Sequence, residues 1–597
     1  MYNPSGTFYT FEGFDNPAQV LEEGGMVNKT TGNITVNNQL RWKVIDGLQL
    51  VGQAVIRKYD QDENVTNKKI INYDWDNNEV REKRTPNSAE RRYQKTLSKN
   101  FTLYADYKKN FNDRHDLSVM VGTSHESENY DRFTAKRINF DQQENMSLQL
   151  GSAQDQNAWS EGNQWTINSF FSRVNYTFAN KYVIEGTIRA DGSSRFDPDH
   201  RWGWFPGVNA AWRVGEEGFM KRLGWFEDLK VRASYGEMGN QSGIGLYDYI
   251  QLISLSNDYY PFGTGVKGQM ATSGNIISTS RTWETIQTTN VGFDFSTLNN
   301  RLYGSFDYFW KENKNMLIPK TYPSMLGADA PSTNSGHLSI HGWEISLGWR
   351  DQIKDFSYSV RFNISDAKNK VVDRVGSNLI KLGNNETPTG YPLNSYFGYE
   401  FDGIIQNEQE LEAYKSRFSE GGIPGDLSVG DAMYKDLDGD GKLSVLGDGK
   451  EGSGDVKYLG DKNPRYNFGF NLSMAWKGFD LSAFIQGVGR RTMFLEGESR
   501  CPMPEAWYQS AEYWYGKTWT PERTDAQYPA ITLKDKRNYN YYVSTNTKFN
   551  VAYARLKNLQ FGYTIPQTLT SKAGLQKVRV YFSGEDLFEV HNTPNGW

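Results

Sequence analysis

Cysteine is almost missing: Cys501 stands alone in 597 residues, which excludes an intrachain disulfide framework and a cysteine-rich zinc module. No apolar run reaches the roughly 18 residues that a membrane-spanning helix needs. Neither sign of charge is in excess. The 66 Lys and Arg face 71 Asp and Glu, a net −5, which gives no whole-chain attraction for nucleic acid. Apolar residues are sparse at 37%, against about 45–50% in soluble domains. A chain this polar could be disordered, but disorder goes with few aromatics and a large net charge. Here 17 Trp, 36 Tyr and 33 Phe make up 14% of the chain. Global disorder is excluded. Met1 is followed by YNPSGTFYTFEGF, without the basic start and apolar core of a secretion signal. That start belongs to a cytoplasmic protein or to a chain whose true beginning lies further upstream.

What the chain does have is period-two alternation. From Asn33 the even positions read Ile34, Val36, Asn38, Leu40, Trp42, Val44, while the odd ones read Asn33, Thr35, Asn37, Gln39, Arg41, Lys43. After Asp46-Gly47 the pattern resumes at Leu48, Leu50, Gly52, Ala54 and Ile56. It recurs at Phe101–Tyr107, Leu117–Val121, Trp343–Trp349, Phe356–Ile364, Phe468–Trp476 and Phe479–Ile485. Runs of about ten alternating residues have the length of a tilted strand crossing a bilayer.

The connections alternate as well. Short turns are expected near 45–48, 110–116, 178–181, 298–301, 351–355 and 476–479, with longer ones near 214–228 and 566–576. Between them lie long polar, Gly- and aromatic-rich segments at 59–97, 238–285, 312–341, 366–464 and 488–547. Short turns at one end and long loops at the other are the plan of outer-membrane barrels. The expected fold is therefore all-β: a transmembrane antiparallel β-barrel over residues 1–597, with 366–464 as a long extracellular loop. Only the lipid-facing half of each strand must be apolar, which accounts for the low apolar content. The competing expectation is a large soluble all-β protein with half-buried strands.

Several segments resemble the SusC/RagA-type TonB-linked outer-membrane transporters of Bacteroidetes. Ser169–Lys221 carries Arg173-Val174-Asn175-Tyr176, the loop Arg189-x-Asp191-Gly192-Ser193-Ser194-Arg195-Phe196, and Trp202-Gly203-Trp204-Phe205-Pro206. LKVRASYGEMGNQ (229–241), TWETIQTTNVGFDF (282–295), APSTNSGHLSIHGWEISLGWR (330–350), GYPLNSYFGYEFDGIIQ (390–406), NPRYNFGFNLSMAWKGFDLSAFIQG (463–487), VAYARLKNLQFGYTIP (551–566) and VRVYFSGEDLF (578–588) continue in family order. The resemblance implies a barrel of twenty-two strands with an N-terminal plug in its lumen. Eight turns join about sixteen strands here, with room for five before and one after. The expectation is a fragment without plug, early strands or closing strand.

Among motifs with chemistry, Asp436-Leu437-Asp438-Gly439-Asp440-Gly441 matches the start of an EF-hand calcium loop. The twelfth position, where a bidentate Glu belongs, is Gly447, so Asp448, Glu451 or Asp455 would have to substitute. Asp436, Asp438 and Asp440 are the candidate ligands of a structural calcium bracing the loop. The bland reading is a solvated acidic turn. Gly263-Thr-Gly265-Val-Lys-Gly268 has no helix pattern after it, and Gly516-Lys517-Thr518 lies in an aromatic loop, so neither reads as a nucleotide site. His337 and His341 would stand about 13 Å apart on a strand, too far to share a metal. Nothing supports catalysis.

Aromatics gather in the expected outer loops: Tyr259, Tyr260, Phe262, Trp507, Tyr508, Tyr513, Trp514, Tyr515 and Trp519. Flat rings stack on sugar faces or peptide side chains. Of these, Trp507, Tyr508, Trp514, Trp519, Tyr259 and Tyr260 are the candidate ligand contacts, with packing between loops as the alternative. By resemblance, the protein imports oligosaccharides or peptides across the outer membrane of a Gram-negative bacterium. TonB with ExbB and ExbD drives it through the plug, and a SusD-like surface lipoprotein closes over the loops. The alternatives are a siderophore or cobalamin receptor, and a secreted all-β carbohydrate-binding protein.

Overall fold

The structure, a computed structural model, describes residues 2–10, 15–256, 261–262, 266–267, 270–273, 276–319, 325, 332–374, 383–386, 388–446, 454–504, 510–532 and 535–594. Sixteen long strands follow one another along the chain. They are β1 (Val27–Ile45), β2 (Leu48–Asn67), β3 (Ser88–Phe111), β4 (His115–Ile138), β5 (Gln156–Phe178), β6 (Tyr182–Ser193), β7 (Trp202–Arg213) and β8 (Asp228–Asn240). The second eight are β9 (Glu284–Thr297), β10 (Leu302–Pro319), β11 (Ser332–Ile353), β12 (Phe356–Asp373), β13 (Arg465–Trp476), β14 (Phe479–Arg490), β15 (Tyr553–Ile565) and β16 (Val578–His591). Each is hydrogen-bonded to the next in a single antiparallel sheet whose order is the chain order. Among the described residues no helix is long and apolar enough to cross a membrane, which says nothing of strands.

All eight connections expected to be turns are turns, and their residues explain why. Lys477 (φ 45°) and Gly478 (φ 91°) place two left-handed residues between Trp476 and Phe479. Ala179 and Asn180 do the same after β5, and Asn112 and Asp113 after β3. Paired positive φ values match the twist of the flanking strands and so set the register of each hairpin.

The strands are longer than the alternation suggested. β3 and β4 pair over 24 residues each, from Phe111↔His115 to Ser88↔Ile138, where a bilayer crossing takes about 9–11. Much of the 59–97 and 312–341 segments, expected to be loop, is strand. The reason is physical. The row Tyr107, Ala105, Leu103, Phe101 is apolar, but the same face continues as Lys99, Leu97, Lys95, Tyr93 and Arg91. Beyond the apolar band both faces are polar, so the period vanishes while the ladder goes on. The 366–464 segment likewise begins inside β12.

Two compact units divide the chain: Met1–Asn175, Thr187–Pro206 and Gln241–Thr282, and then Tyr176–Gly186, Gly207–Asn240 and Trp283–Trp597. In the first, the apolar row of β1 stays exposed, with Leu40 at 74% and Trp42 at 60%. The helix α1 (Pro17–Glu23) packs beside the short strand Ile70–Tyr73, its Gln19 Nε2 donating to Ile71 O. In the second, Val231 faces Phe293, which faces Phe306, with Ile345 next in line. The opposite row is charged and cross-linked. Arg232 donates to both oxygens of Asp294 (2.9 Å) and both of Asp307 (3.0 and 3.1 Å). Gly292 lies between Arg232 and Asp307 in register, and a Cβ there would come within 2.5 Å of Asp307 Oδ1. The packed cores lie largely in the loops.

Candidate functional site

The loop between β12 and β13 and the loop between β14 and β15 fold into one packed body. Tyr399, Ile405, Leu411, Tyr414, Phe418 and Tyr434 of the first loop bury against Tyr539 of the second. Helix α3 (Glu408–Arg417) supplies Leu411 and Tyr414 from one face, and Asn407 caps its start through Glu410 N. Tyr434 N donates to Tyr414 Oη (2.9 Å), which is hydrogen-bonded to Tyr539 Oη (2.6 Å), while Tyr434 Oη donates to Tyr539 O (2.7 Å). Burial pushes the Tyr414 phenol up to about 12 and those of Tyr434 and Tyr539 well above their usual value. These hydroxyls stay neutral, as a dry hydrogen-bonded core requires.

Polar clasps join the loops a second time. Asn540 Nδ2 donates to Asp431 Oδ1 (2.9 Å), and Ala432 N donates to Asn540 Oδ1 (3.0 Å). Trp519 Nε1 donates to Gln406 Oε1 (3.1 Å). The Trp519 ring lies against Gly430, whose φ of +96° and whose missing Cβ, 2.6 Å from Trp519 Cε3, leave room only for glycine.

The loop aromatics divide sharply. Trp514 is 2% exposed, with Tyr528 (4.9 Å) and Tyr541 (5.5 Å) packed against it edge-on. Its neighbour Tyr513 is buried too, whereas Tyr515 is 90% exposed. Trp519 is half-buried. Trp514 therefore serves the core of the loop body and presents no free ring face, because the turn Glu512–Trp514 folds it inward. Trp507, Tyr508, Tyr259 and Tyr260 lie outside the described residues. Sequence reasoning passed over Tyr528, Tyr539 and Tyr541, the rings that close this core. No local pattern marks them, because Tyr539 sits on the helical turn Asp535–Asn540 and Tyr528 and Tyr541 meet Trp514 only through the fold of the loop.

The acidic turn has a defined geometry. Asp436, Asp438 and Asp455 bring one carboxylate oxygen each within 4.8 Å of one another, the only such group among the described residues. Asp440 is not in the group; its Oδ1 accepts from Lys442 N (2.8 Å). Asp436 accepts from Gly439 N and Gly441 N, and Gly441 sits at φ +73°, the turn an EF-hand asks of its sixth residue. Asp455 is fully buried and accepts from Leu437 N (2.6 Å) and Ser444 N (2.8 Å). Burial raises its pKa, only partly offset by those N–H groups, and Asp438 and Asp436 raise it further. Asp438 is raised as well, chiefly by desolvation. Three crowded oxygen donors of this kind suit a hard cation such as calcium. Gly447, Asp448 and Glu451 lie outside the described residues.

Comparison with known proteins supplies the context. The family model described as TonB dependent receptor-like, beta-barrel matches residues 2–587. TonB-dependent receptor P3 of Formosa agariphila is 31% identical over 516 residues, 84% of this chain and 48% of that protein. TonB-dependent receptor SusC of Bacteroides thetaiotaomicron is 26% identical over 495 residues, 78% of this chain and 44% of that protein. A solved structure of the RagAB peptide transporter superposes with a TM-score of 0.78 at 22% identity, covering 96% of this chain and 59% of that one. The chain thus spans about half the length of the curated relatives it matches, and those relatives are receptors rather than enzymes.

Proposed function

The chain belongs to the TonB dependent receptor-like β-barrel family, and from that premise we propose that it forms the barrel wall and outer loops of a nutrient importer in the outer membrane of a Gram-negative bacterium. The cargo is an oligosaccharide or a peptide too large for a porin. Energy arrives from TonB, ExbB and ExbD through a plug segment, and a SusD-like lipoprotein closes over the loops. The observation that carries this reading is the exposed apolar row on strands joined by short turns, opposite a charged row, with a folded body built from the long loops. An apolar face of that extent needs hydrocarbon. The loop body offers the exposed Tyr515 to ligand or lid. Calcium at Asp436, Asp438 and Asp455 would brace that body.

Gene deletion followed by uptake assays tests the cargo. Loss of glycan or peptide import, reversed by the intact gene, is the expected result. Selective loss of ferric-chelate uptake would make the protein a siderophore receptor instead, and recovery of the protein from the aqueous fraction without detergent would remove it from the membrane.

A further inference from the structure

The turn between β7 and β8 is one of two longer ones among the short connections, and three of its added residues are large and apolar. The helix α2 (Gly218–Leu223) carries Phe219 and Leu223 one turn apart on one face, and Trp225 follows the left-handed Gly224 cap. All three rings or side chains are exposed, at 48%, 51% and 68%. Solvent-facing apolar residues of that size, clustered in one short segment, call for an apolar partner.

Both ends of the segment are fastened to the apolar face of the sheet. The Glu217 carboxylate accepts from Tyr182 Oη (2.7 Å), Trp212 Nε1 (3.2 Å) and Lys181 Nζ (2.9 Å). Tyr182 and Trp212 stand in the same rows as Ile184 and Val208 and stack at 6.4 Å, with Phe178 stacked on Tyr182 at 6.3 Å. At the other end Phe226 meets Phe295 edge-on at 6.3 Å, in the row of Val291 and Phe293. Thr297 Oγ1 donates to Trp225 O, and Asn299 N donates to Glu227 Oε1 (2.7 Å). The turn is thus held beside an aromatic row, where barrels meet the membrane interface.

We propose that residues 214–227 form an interfacial anchor in the phospholipid headgroup layer of the periplasmic leaflet. Phe219, Leu223 and Trp225 insert beside the acyl chains, and the exposed Arg222 lies at phosphate depth. Lys221 is already paired with Glu216 (2.5 Å), so Arg222 is the cation that meets lipid. A short amphipathic helix with aromatic and cationic side chains is the ordinary form of such an anchor. The occupant is lipid and not a protein because the segment continues the apolar face on both flanks. This inference rests on the outer-membrane reading above.

Nitroxide labels test it in the protein purified from its own membrane and reconstituted into phosphatidylethanolamine–phosphatidylglycerol vesicles, in a Cys501→Ser background. Leu223→Cys and Trp225→Cys are compared with Val208→Cys in the apolar row and Asp355→Cys in a tight turn. Heat-modifiable mobility confirms that each variant is folded, and Phe219→Cys replaces either that is not. Labels at 223 and 225 should show an oxygen-to-nickel-chelate collision ratio severalfold above that at 355, approaching that at 208. A ratio equal to that at 355 would overturn the anchor. Shielding from both collision agents would overturn it as well, showing protein cover. An aqueous ratio at 208 itself would overturn the outer-membrane reading, a failure visible apart from the first.

Discussion

Trp514 and Tyr515 are neighbours with opposite fates. Replacing Trp514 by Ala removes a fully packed ring and should cost about 3–5 kcal/mol, seen as a lower melting temperature and early proteolysis of the loop body. Tyr515→Ala should leave both unchanged and weaken binding of ligand or lid. The sequence could not separate the two. Composition marked the stretch as aromatic, but burial was decided by Tyr528 and Tyr541, which the chain brings back from more than a dozen residues away. The acidic turn was more legible, because an Asp-x-Asp spacing and a following glycine are local. Its completion by Asp455 was not, since the intervening residues do not fix where the carboxylate returns.

Asp455 also gives a prediction with a sign. Asp438 and Asp455 have folded pKa values raised above the ordinary carboxylate value. Without metal, the folded state holds their protons more tightly, so stability should rise as pH falls through the raised folded values toward about 4, and then level off. Calcium should reverse the trend, because protons compete for the same oxygens. Melting curves with calcium and with chelator check this. Calcium should raise the melting temperature of the native protein near neutral pH and not that of Asp455→Asn. Equal curves with and without calcium for the native protein would reduce the site to an acidic turn.

At the scale of the strand, turn chemistry and alternation placed all sixteen elements, because a two-residue hairpin and a two-sided face are both local signals. Length was misjudged wherever the strands leave the apolar phase. The charged row was hidden for another reason: Arg232, Asp294 and Asp307 are far apart in sequence and meet only through register. That register depends on Gly292. Gly292→Val would push into Asp307 and should destabilise the sheet by about 1–3 kcal/mol, measured as a lower temperature for the gel shift from folded to unfolded form. An unchanged transition would mean that the Arg232 cluster contributes nothing.

For the molecule as a whole, one asymmetry organises the rest. Alternate residues form an exposed apolar row and a charged row, the strands are joined by turns and long loops in alternation, and the loops after β12 and β14 condense into a body with its own tyrosine core. The importer reading and the anchor turn both presuppose that the apolar row meets lipid. The direct measurement is photolabelling of native outer membranes with a phospholipid carrying a diazirine on its acyl chain, mapped by mass spectrometry. Label should fall on Leu40, Trp42, Leu103, Val121 and Leu347 and skip their neighbours Arg41, Thr102 and Ser346. Label spread evenly over both rows, or found on neither, would contradict the account.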